Sequence, residues 1–191
     1  FKDRPLARLL PIGVKRLYKA HGARTRDVGF VGRLTKHRMA RQWLADFLKQ
    51  SYKADVVQGL SREEMFDFYG DTRLAPNEAI AMEVNFRLFE AASCGCLVFS
   101  QDIGEDQDTA FVPGKEIVIY SHVLELKGLM DWYLSRPEAA EAMGLAAMDR
   151  IRREHLPIHR AGQVLEFAQN VNPATLEQDT RKAILARVQY E

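Results

Sequence analysis

One stretch limits the fold more than any other: an apolar helix that ends at a glycine and leads directly into a buried strand. Asn85 begins it and is a favourable N-cap, because its side-chain oxygen can accept from the free N–H groups of a first helical turn. Gly95 can adopt the left-handed conformation that ends a helix. The apolar run 96–99 is typical of a central parallel strand. The helix is apolar on almost every face, which predicts burial on two sides. Its apolar residues are Phe86, Leu88, Phe89, Ala91, Ala92 and Cys94.

The polar residues of this helix indicate a ligand site. Asn85 and Arg87 stand near its N-terminus, where backbone N–H groups and the helix dipole favour an anion. Glu90 could point to solvent by helical phase, or it could face a cleft where its oxygens act as acceptors. Apolar residues occupy nearly every other face, and ligands bind where the strands of a parallel sheet end. We therefore expect Glu90 to line that cleft.

Strand and helix patterns alternate along the chain. The predicted strands are 27–34, 54–60, 74–80, 96–99 and 116–120. The predicted helices are 39–50, 61–70, 85–94, 124–134 and 138–153. The strand at 74–80 is the weakest, because Pro76 cannot donate a ladder hydrogen bond. The alternation predicts an α/β fold: a Rossmann-like parallel sheet of about five strands with helices on both faces, in which 28–31 and 97–99 are central and buried.

A second candidate site follows the first strand. Gly32 ends that strand, and Arg33 and Arg38 precede the helix at 39–50. A glycine lets a phosphate approach the backbone, and a guanidinium offers two parallel donors to it. The pattern therefore predicts a phosphate cradle, although a surface turn with solvated cations gives the same residues.

The stretch that begins at Asn85 reads N-F-R-L-F-E-A-A-S-C-G and resembles the donor-binding helix of GT-B glycosyltransferases. The resemblance covers residues 27–165 and is greatest to the CgeB-like (spore maturation) branch, which is related to glycosyltransferase family 4. In these relatives the glutamate, here Glu90, holds the ribose hydroxyls of a nucleotide-sugar. The helix N-terminus, here Asn85, Phe86 and Arg87, faces its phosphates.

The resemblance extends to the first turn. Family 4 relatives have G-R-L-x-x-x-K there, and the arginine and lysine grip the diphosphate. Gly32, Arg33 and Arg38 occupy these positions. The resemblance thus implies a donor site of Gly32, Arg33, Arg38, Asn85, Phe86, Arg87 and Glu90, with no metal and no cofactor other than the substrate.

The function that the resemblance implies is transfer of a sugar, of the hexosyl type, from a nucleoside-diphosphate-sugar to an unknown acceptor. Catalytic residues are not identified. Family 4 relatives have a second glutamate eight residues before the ribose-binding one; here that position is Met82, with Glu83 out of register. The sugar and the stereochemistry therefore stay open. CgeB-like relatives lack this glutamate too.

The domain organisation follows from the same comparison. Residues 1–26 are expected to be a linker from an N-terminal acceptor domain that is missing from this chain, although a solvated arm fits their composition equally. Residues 27–166 form the nucleotide-sugar-binding domain, and 167–191 a helical tail. The chain begins at Phe1, so we expect a fragment that binds donor but transfers nothing alone.

Composition excludes several partners. The net charge of +1 argues against a nucleic-acid partner, and no apolar run is long enough for a membrane span. The two cysteines, Cys94 and Cys96, are expected to be reduced thiols in a cytoplasmic protein, because a disulfide between them would have to span the helix stop. No zinc-type spacing of Cys and His accompanies them.

Four other interpretations were weighed. The acidic loop 101–106 could bind a metal, but closely spaced acids in a loop are more often solvated. His155 and His159 flank Pro157, which breaks the helical spacing a shared site would need, so a structural or interdomain role is favoured. The whole chain could also be a catalytically inactive Rossmann-like module that binds a nucleotide or a protein. A receiver-like or flavodoxin-like domain would need acidic residues where Gly32 and Arg33 stand.

Overall fold

The computed structural model describes residues 14, 17–18, 23–79, 84–103 and 110–170. The chain divides into two compact units, Pro11–Leu156 and a second one formed by Phe1–Leu10 with Pro157–Glu191. Of the second unit the structure describes one helix, Pro157–Asn170. The predicted tail beyond residue 170 lies outside the described residues, as does most of the predicted linker.

Strands and helices follow the predicted order throughout the first unit. The strands are β1 (Arg26–Val31), β2 (Asp55–Val57), β3 (Thr72–Asn77), β4 (Leu97–Gln101) and β5 (Val118–Tyr120). The helices are α1 (Met39–Tyr52), α2 (Arg62–Gly70), α3 (Phe86–Ser93), α4 (Val123–Leu134) and α5 (Pro137–Glu154), and α6 (Pro157–Asn170) belongs to the second unit.

The five strands form one parallel sheet in the order β2-β1-β3-β4-β5. This confirms the predicted Rossmann-like α/β fold. The chain leaves β1 toward β2 on one side and later returns to β3 on the other side of β1. A crevice forms at such a reversal, where neighbouring connections diverge at the C-terminal ends of the strands. The sheet therefore places its natural ligand crevice between the ends of β1 and β3.

The strand predicted most weakly is the central one. β3 pairs with β1 through Thr72 and Leu74 and with β4 from Leu74 to Asn77. Pro76 is tolerated because the recorded pairing with β1 has already ended at Leu74. Beyond that point β3 pairs with β4, so only one neighbour needs its backbone groups.

Each face of the sheet has its own apolar core. On one face, Val28 and Phe30 of β1 and Leu97 and Phe99 of β4 pack with α1 and α4. On the other face, Ala75 of β3 and its neighbours pack with α2, α3 and the C-terminal half of α5. The prediction that 28–31 and 97–99 are central is confirmed by the strand order, and Val28, Phe30, Leu97 and Phe99 are buried.

Helix α1 buries only part of its apolar residues against the sheet: Leu44 and Leu48 are buried, and Phe47 packs against the same core. Met39 is 78% exposed and Trp43 52% exposed, although both share the apolar spacing of the predicted helix. The buried face is formed by Arg41, Leu44, Ala45 and Leu48. An arginine thus occupies a core position of α1, one turn before Leu44.

Local signals place the helix ends well. Ser61 and Glu64 form a capping box at the start of α2, the helix predicted at 61–70. Gly95 follows α3 with φ of +74°, the left-handed conformation predicted for it. Pro137 lies in the first turn of α5, and α5 ends before Pro157.

The cysteines and His155 belong to the core. Cys94 and Cys96 are free and buried, as predicted. Burial raises the pKa of Cys96 to about 12, so the thiol stays protonated. His155 is buried beside the rings of Phe89 and Phe111, and its Nε2 lies 2.6 Å from the carbonyl oxygen of Ala110. These contacts give His155 a structural role.

None of the helices that the structure describes is both long and apolar enough to cross a membrane.

The close approach of α5 to the turn after α3 depends on Gly144. A Cβ at this position would meet the carbonyl oxygen of Gly95 and lie 3.0 Å from the carbonyl carbon of Cys96, both of which are backbone atoms. We expect Gly144→Ala to lower the free energy of unfolding by about 1–3 kcal/mol, since overpacking against backbone cannot relax locally. Urea unfolding measures this.

The matched control is Gly128→Ala in α4, where a Cβ meets nothing within 4 Å. Alanine there should raise the free energy of unfolding by roughly 0.5–1 kcal/mol through helix propensity. A Gly144→Ala protein as stable as the Gly128→Ala protein would contradict the packing described above.

Candidate functional site

The crevice at the C-terminal edge of the sheet gathers most of the predicted site residues. Gly32 and Arg33 directly follow β1, and Asn77 ends β3. The N-terminus of α3, with Arg87, lies beside both strand ends. Residues that are far apart in the sequence therefore meet at the reversal between β1 and β3.

Arg87 joins the two strand ends. Its Nε donates to the carbonyl oxygen of Val31 at 2.7 Å, and its Nη1 donates to Oδ1 of Asn77 at 3.0 Å. The guanidinium carbon also lies 4.6 Å from the centre of the Phe30 ring. Burial lowers the pKa of Arg87, and the neighbouring Arg41 lowers it further, while Glu78 and Glu90 oppose the effect. Both hydrogen-bond acceptors are neutral, so the guanidinium is a poorly compensated positive charge.

Gly32 leaves space for this arginine. A Cβ on Gly32 would lie 2.7 Å from Nη2 of Arg87 and 2.8 Å from the Phe30 ring. The missing side chain thus makes room for the guanidinium. Whether the same glycine also admits a phosphate, as predicted, stays a prediction.

Arg33 and Arg38 extend into solvent on the turn between β1 and α1. Neither guanidinium has a hydrogen-bond or ion-pair partner among the residues that the structure describes. The turn itself is held by Gln58, whose Oε1 accepts from the backbone N–H of Leu34 at 3.1 Å. The two cations are thus available to a ligand on a turn that is anchored to the end of β2.

Asn85 is the N-cap residue of α3, but its side chain does not cap the helix. Its Nδ2 instead donates to the carbonyl oxygen of Glu78 at 3.2 Å, which closes the connection between β3 and α3. The predicted position is therefore confirmed and the predicted capping bond is wrong. The Asn85 side chain leaves the first N–H groups of α3 to other acceptors.

Phe86 is 60% exposed, so the prediction that it contributes to a buried helix face is wrong. It is the first residue of α3, and side chains in a helix tilt toward the N-terminus. The ring therefore projects past the helix end at the crevice edge. Leu88, Phe89, Ala91 and Ala92 are buried as predicted.

Glu90 is half-buried, one turn into α3. Burial raises the pKa of its carboxyl, and the positive charges of Arg87 and Arg62 partly counteract this. Arg62 is the first residue of α2, which begins at the same edge of the sheet. The carboxylate is thus within electrostatic range of two arginines at the crevice and does not lie on an open convex surface.

A buried ion pair lies beneath these residues, and sequence reasoning missed it. Nε of Arg41 lies 2.9 Å from Oε2 of Glu78, and both side chains are almost fully buried. The signal was present: Arg41 precedes Leu44, Ala45 and Leu48 at helical spacing, so a cation had to lie on the buried face of α1.

Some polar atoms at this edge have no partner. Nδ2 of Asn77 and Oδ1 of Asn85 are buried and make no hydrogen bond. The carbonyl oxygen of Asn77 does accept from the hydroxyl of Tyr120 at 2.8 Å. Unsatisfied polar groups are costly in a folded core, so these two amides do not contribute to stability as fully hydrogen-bonded groups would.

The described residues contain no group of three or more His, Cys, Asp or Glu that could hold a metal ion. Of the acidic loop 101–106, residues 104–106 lie outside the part of the chain that the structure describes, as do Met82 and Glu83.

A cavity of about 230 Å³ lies at the opposite edge of the sheet, away from the predicted site. Arg24 lines it, but its guanidinium already donates to three carbonyl oxygens. These belong to Tyr69 in the last turn of α2, Thr72 at the start of β3 and Cys94 directly after α3. The arginine thus closes helix ends, and the cavity contains none of the predicted ligand groups.

A protein-family model described as glycosyl transferase-like matches residues 13–166 of the chain. No curated protein matches it. Several solved structures are similar to it in fold, at low sequence identity.

Superposition on TarM gives a TM-score of 0.62 at 10% identity and covers 81% of this chain and 37% of that one. Superposition on sucrose-phosphate synthase from Thermosynechococcus elongatus gives a TM-score of 0.58 at 13% identity and covers 76% of this chain and 45% of that one. Superposition on Anabaena HepE in complex with UDP and glucose gives a TM-score of 0.58 at 13% identity and covers 75% of this chain and 48% of that one. The chain therefore spans less than half the length of each of these proteins.

The environment of Glu90 predicts a pH-dependent effect on stability. Because burial raises the pKa of Glu90 above its ordinary value of 4.5, the folded protein binds the proton more tightly than the unfolded chain. This contribution favours the folded state at low pH and is lost as the pH rises through the folded pKa. We therefore expect Glu90→Gln to raise the Tm at neutral pH.

The increase should shrink at acid pH, where the wild-type carboxyl is protonated. Thermal unfolding followed by circular dichroism at pH 7 and about pH 4 measures both values. A Tm that is equal to or below that of the wild type at pH 7 would show that Arg87 and Arg62 compensate the carboxylate fully.

Proposed function

The chain belongs to the glycosyl transferase-like family, and we propose that it is the donor-binding domain of a GT-B glycosyltransferase that transfers a sugar from a nucleoside-diphosphate-sugar. The observation that carries the proposal is Arg87, a partly buried cation with neutral hydrogen-bond partners where β1, β3 and α3 meet.

A buried guanidinium is costly unless a negative charge compensates it. The negative charges of Glu78 and Glu90 favour the charged form of Arg87, but neither carboxylate is hydrogen-bonded to it. An anion at the N-terminus of α3 would supply the missing charge, and the helix dipole would favour it there. A diphosphate between Arg87 and the exposed Arg33 and Arg38 fits this requirement.

The nucleoside would extend from the diphosphate toward α2. Glu90 lies one turn into α3, within electrostatic range of Arg62 on α2. We assign its carboxylate to the ribose hydroxyls, which are donors that suit a charged acceptor. The base would then approach the turn after β2, where Gly59 has φ of +76° and open space around it.

Catalysis in such a site would be largely electrostatic. As the bond to the sugar breaks, negative charge develops on the departing nucleoside diphosphate. Fixed cations and backbone N–H groups stabilise that charge without needing to reorganise. We propose that Arg33, Arg38, Arg87 and the first turn of α3 serve this role and that no metal ion is needed.

The acceptor site is proposed to lie on another domain of the protein. The chain spans 37% to 48% of the lengths of the similar structures described above. We further propose a CgeB-like enzyme in the cytoplasm, whose donor-binding half binds nucleotide but does not transfer sugar alone. Anabaena HepE was solved with UDP and glucose, so UDP is the first nucleotide to test.

Calorimetric titration of the chain with UDP, and then with GDP, ADP and CDP, tests the proposal. Saturable binding of one nucleotide is expected. If none of them binds, the donor-site proposal fails. Nucleotide binding by a longer protein that hydrolyses and transfers nothing would instead support the catalytically inactive module.

The two exposed arginines should contribute to this binding. We expect Arg33→Ala and Arg38→Ala each to weaken nucleotide affinity by about 1–3 kcal/mol, the range for a charge-assisted hydrogen bond. Because neither side chain has a described partner, the Tm should stay near that of the wild type. Arg73→Ala is the matched control: Arg73 is exposed, but it lies at the other edge of the sheet and pairs with Asp27. Unchanged affinity in both turn variants would show that the turn is a solvated surface with no role in nucleotide binding.

Glu90→Gln should weaken the same nucleotide while it stabilises the free protein. The amide keeps the size of the side chain but loses the negative charge that accepts from ribose hydroxyls. Titration with the nucleotide and with the corresponding 2′-deoxynucleotide separates the contribution of the 2′-hydroxyl from that of the rest of the nucleotide. The variant should discriminate less between them than the wild type does, and equal discrimination would remove Glu90 from the ribose site.

A further inference from the structure

A buried ion pair connects the two segments that carry the proposed donor groups. Arg41 belongs to α1, which follows the turn with Arg33 and Arg38. Glu78 directly follows β3 and belongs to the connection that leads into α3. Their side chains are 4% and 10% exposed, and Nε of Arg41 lies 2.9 Å from Oε2 of Glu78.

Glu78 is fixed through its backbone as well as its side chain. Its carbonyl oxygen accepts from Nδ2 of Asn85, the residue that begins α3. Glu78 therefore binds α1 through its carboxylate and the start of α3 through its carbonyl. Through this one residue, the position of α1 is coupled to the position of the α3 N-terminus.

The carboxylate also provides negative charge to more than one arginine. Glu78 favours the charged form of Arg87, whereas Arg41 disfavours it. Without the Glu78 charge, two guanidinium groups would repel each other in a region from which water is largely excluded, where charges interact strongly. The three residues thus form one electrostatic unit beneath the crevice.

Stability alone does not account for this pair. Replacing a buried ion pair with apolar residues of similar volume is often neutral or stabilising, because the charges no longer have to be desolvated. Arg41 also occupies a position on α1 where Leu44, Ala45 and Leu48 continue an apolar face. An apolar residue would suit the core there, so the pair is better explained by the geometry it imposes.

We propose that Arg41 and Glu78 are positioning residues of the donor site. Their ion pair sets the separation between the turn that carries Arg33 and the N-terminus of α3, and neither residue touches the donor. This inference rests on the proposed function for its ligand, but the positioning itself can be measured without a ligand.

The principal variant is Arg41→Met/Glu78→Met, which replaces the pair with apolar side chains. Its Tm should stay near that of the wild type or rise. Its affinity for UDP, or for whichever of the four nucleotides the wild type binds, should fall by roughly tenfold. Losses of this size are typical when residues that orient the ligands of a metal, without touching the metal, are removed. The single variant Glu78→Gln should lower both the Tm and the affinity, because it leaves the buried cations without their carboxylate.

A second ion pair offers a matched control. Nε of Arg150 lies 3.4 Å from Oε2 of Glu116, and both side chains are largely buried. Glu116 precedes β5, so this pair lies toward the opposite edge of the sheet from the crevice. Arg150→Met/Glu116→Met should leave nucleotide affinity unchanged, whatever it does to the Tm.

Hydrogen exchange of the ligand-free proteins provides the second measurement. In the Arg41→Met/Glu78→Met protein, backbone amides of the first turns of α1 and α3 should exchange faster than in the wild type, while the rest of the sheet keeps its protection. In the Arg150→Met/Glu116→Met protein, the same amides should exchange at the wild-type rate. If these amides of the Arg41→Met/Glu78→Met protein exchange at the wild-type rate, the inference is overturned, whether or not a nucleotide binds. Faster exchange with unchanged nucleotide affinity would also overturn it, because the positioning would then not serve the donor site. Failure of the wild type to bind any of the four nucleotides would refute the proposed function instead.

Discussion

The crevice depends on one contact set, the hydrogen bonds of Arg87 to the ends of two strands. Val31 ends β1 and Asn77 ends β3, and the guanidinium donates to both across the reversal of the strand order. Gly32 leaves space for this contact, because a Cβ there would lie 2.7 Å from Nη2 of Arg87 and 2.8 Å from the Phe30 ring, so that one of them would have to shift. Two strand ends, one glycine and the first turn of α3 are thereby fixed relative to one another.

The distribution of polar groups distinguishes this edge from the rest of the domain. At the opposite edge, Arg24 is satisfied by carbonyl oxygens at helix and strand ends and serves as a structural clamp. At the crevice, Arg87 has neutral partners and the amides of Asn77 and Asn85 are only partly hydrogen-bonded. Such groups reduce stability in the free protein, because a buried polar atom without a partner loses the hydrogen bonds it makes to water when the chain is unfolded.

Much of this could be predicted from local patterns. The apolar run before Gly32, the capping box at Ser61 and the glycine stop at Gly95 each fix an element through its own backbone chemistry, and all three are present in the structure. Predictions that depended on which way a side chain points were less successful. Phe86 and Trp43 fit an apolar helical spacing but are exposed, because spacing defines a stripe without saying which stripe meets the sheet.

The sequence by itself determined the order of strands and helices, the parallel α/β class and the presence of arginines and a glutamate next to strand and helix ends. The tertiary structure decided which of these groups meet. Arg87 contacts Val31, 56 residues away, only because β3 lies beside β1 in the sheet. Arg41 meets Glu78 for the same reason. Local periodicity reports how each segment buries its own apolar face, whereas the neighbours of a strand depend on how all the segments pack together.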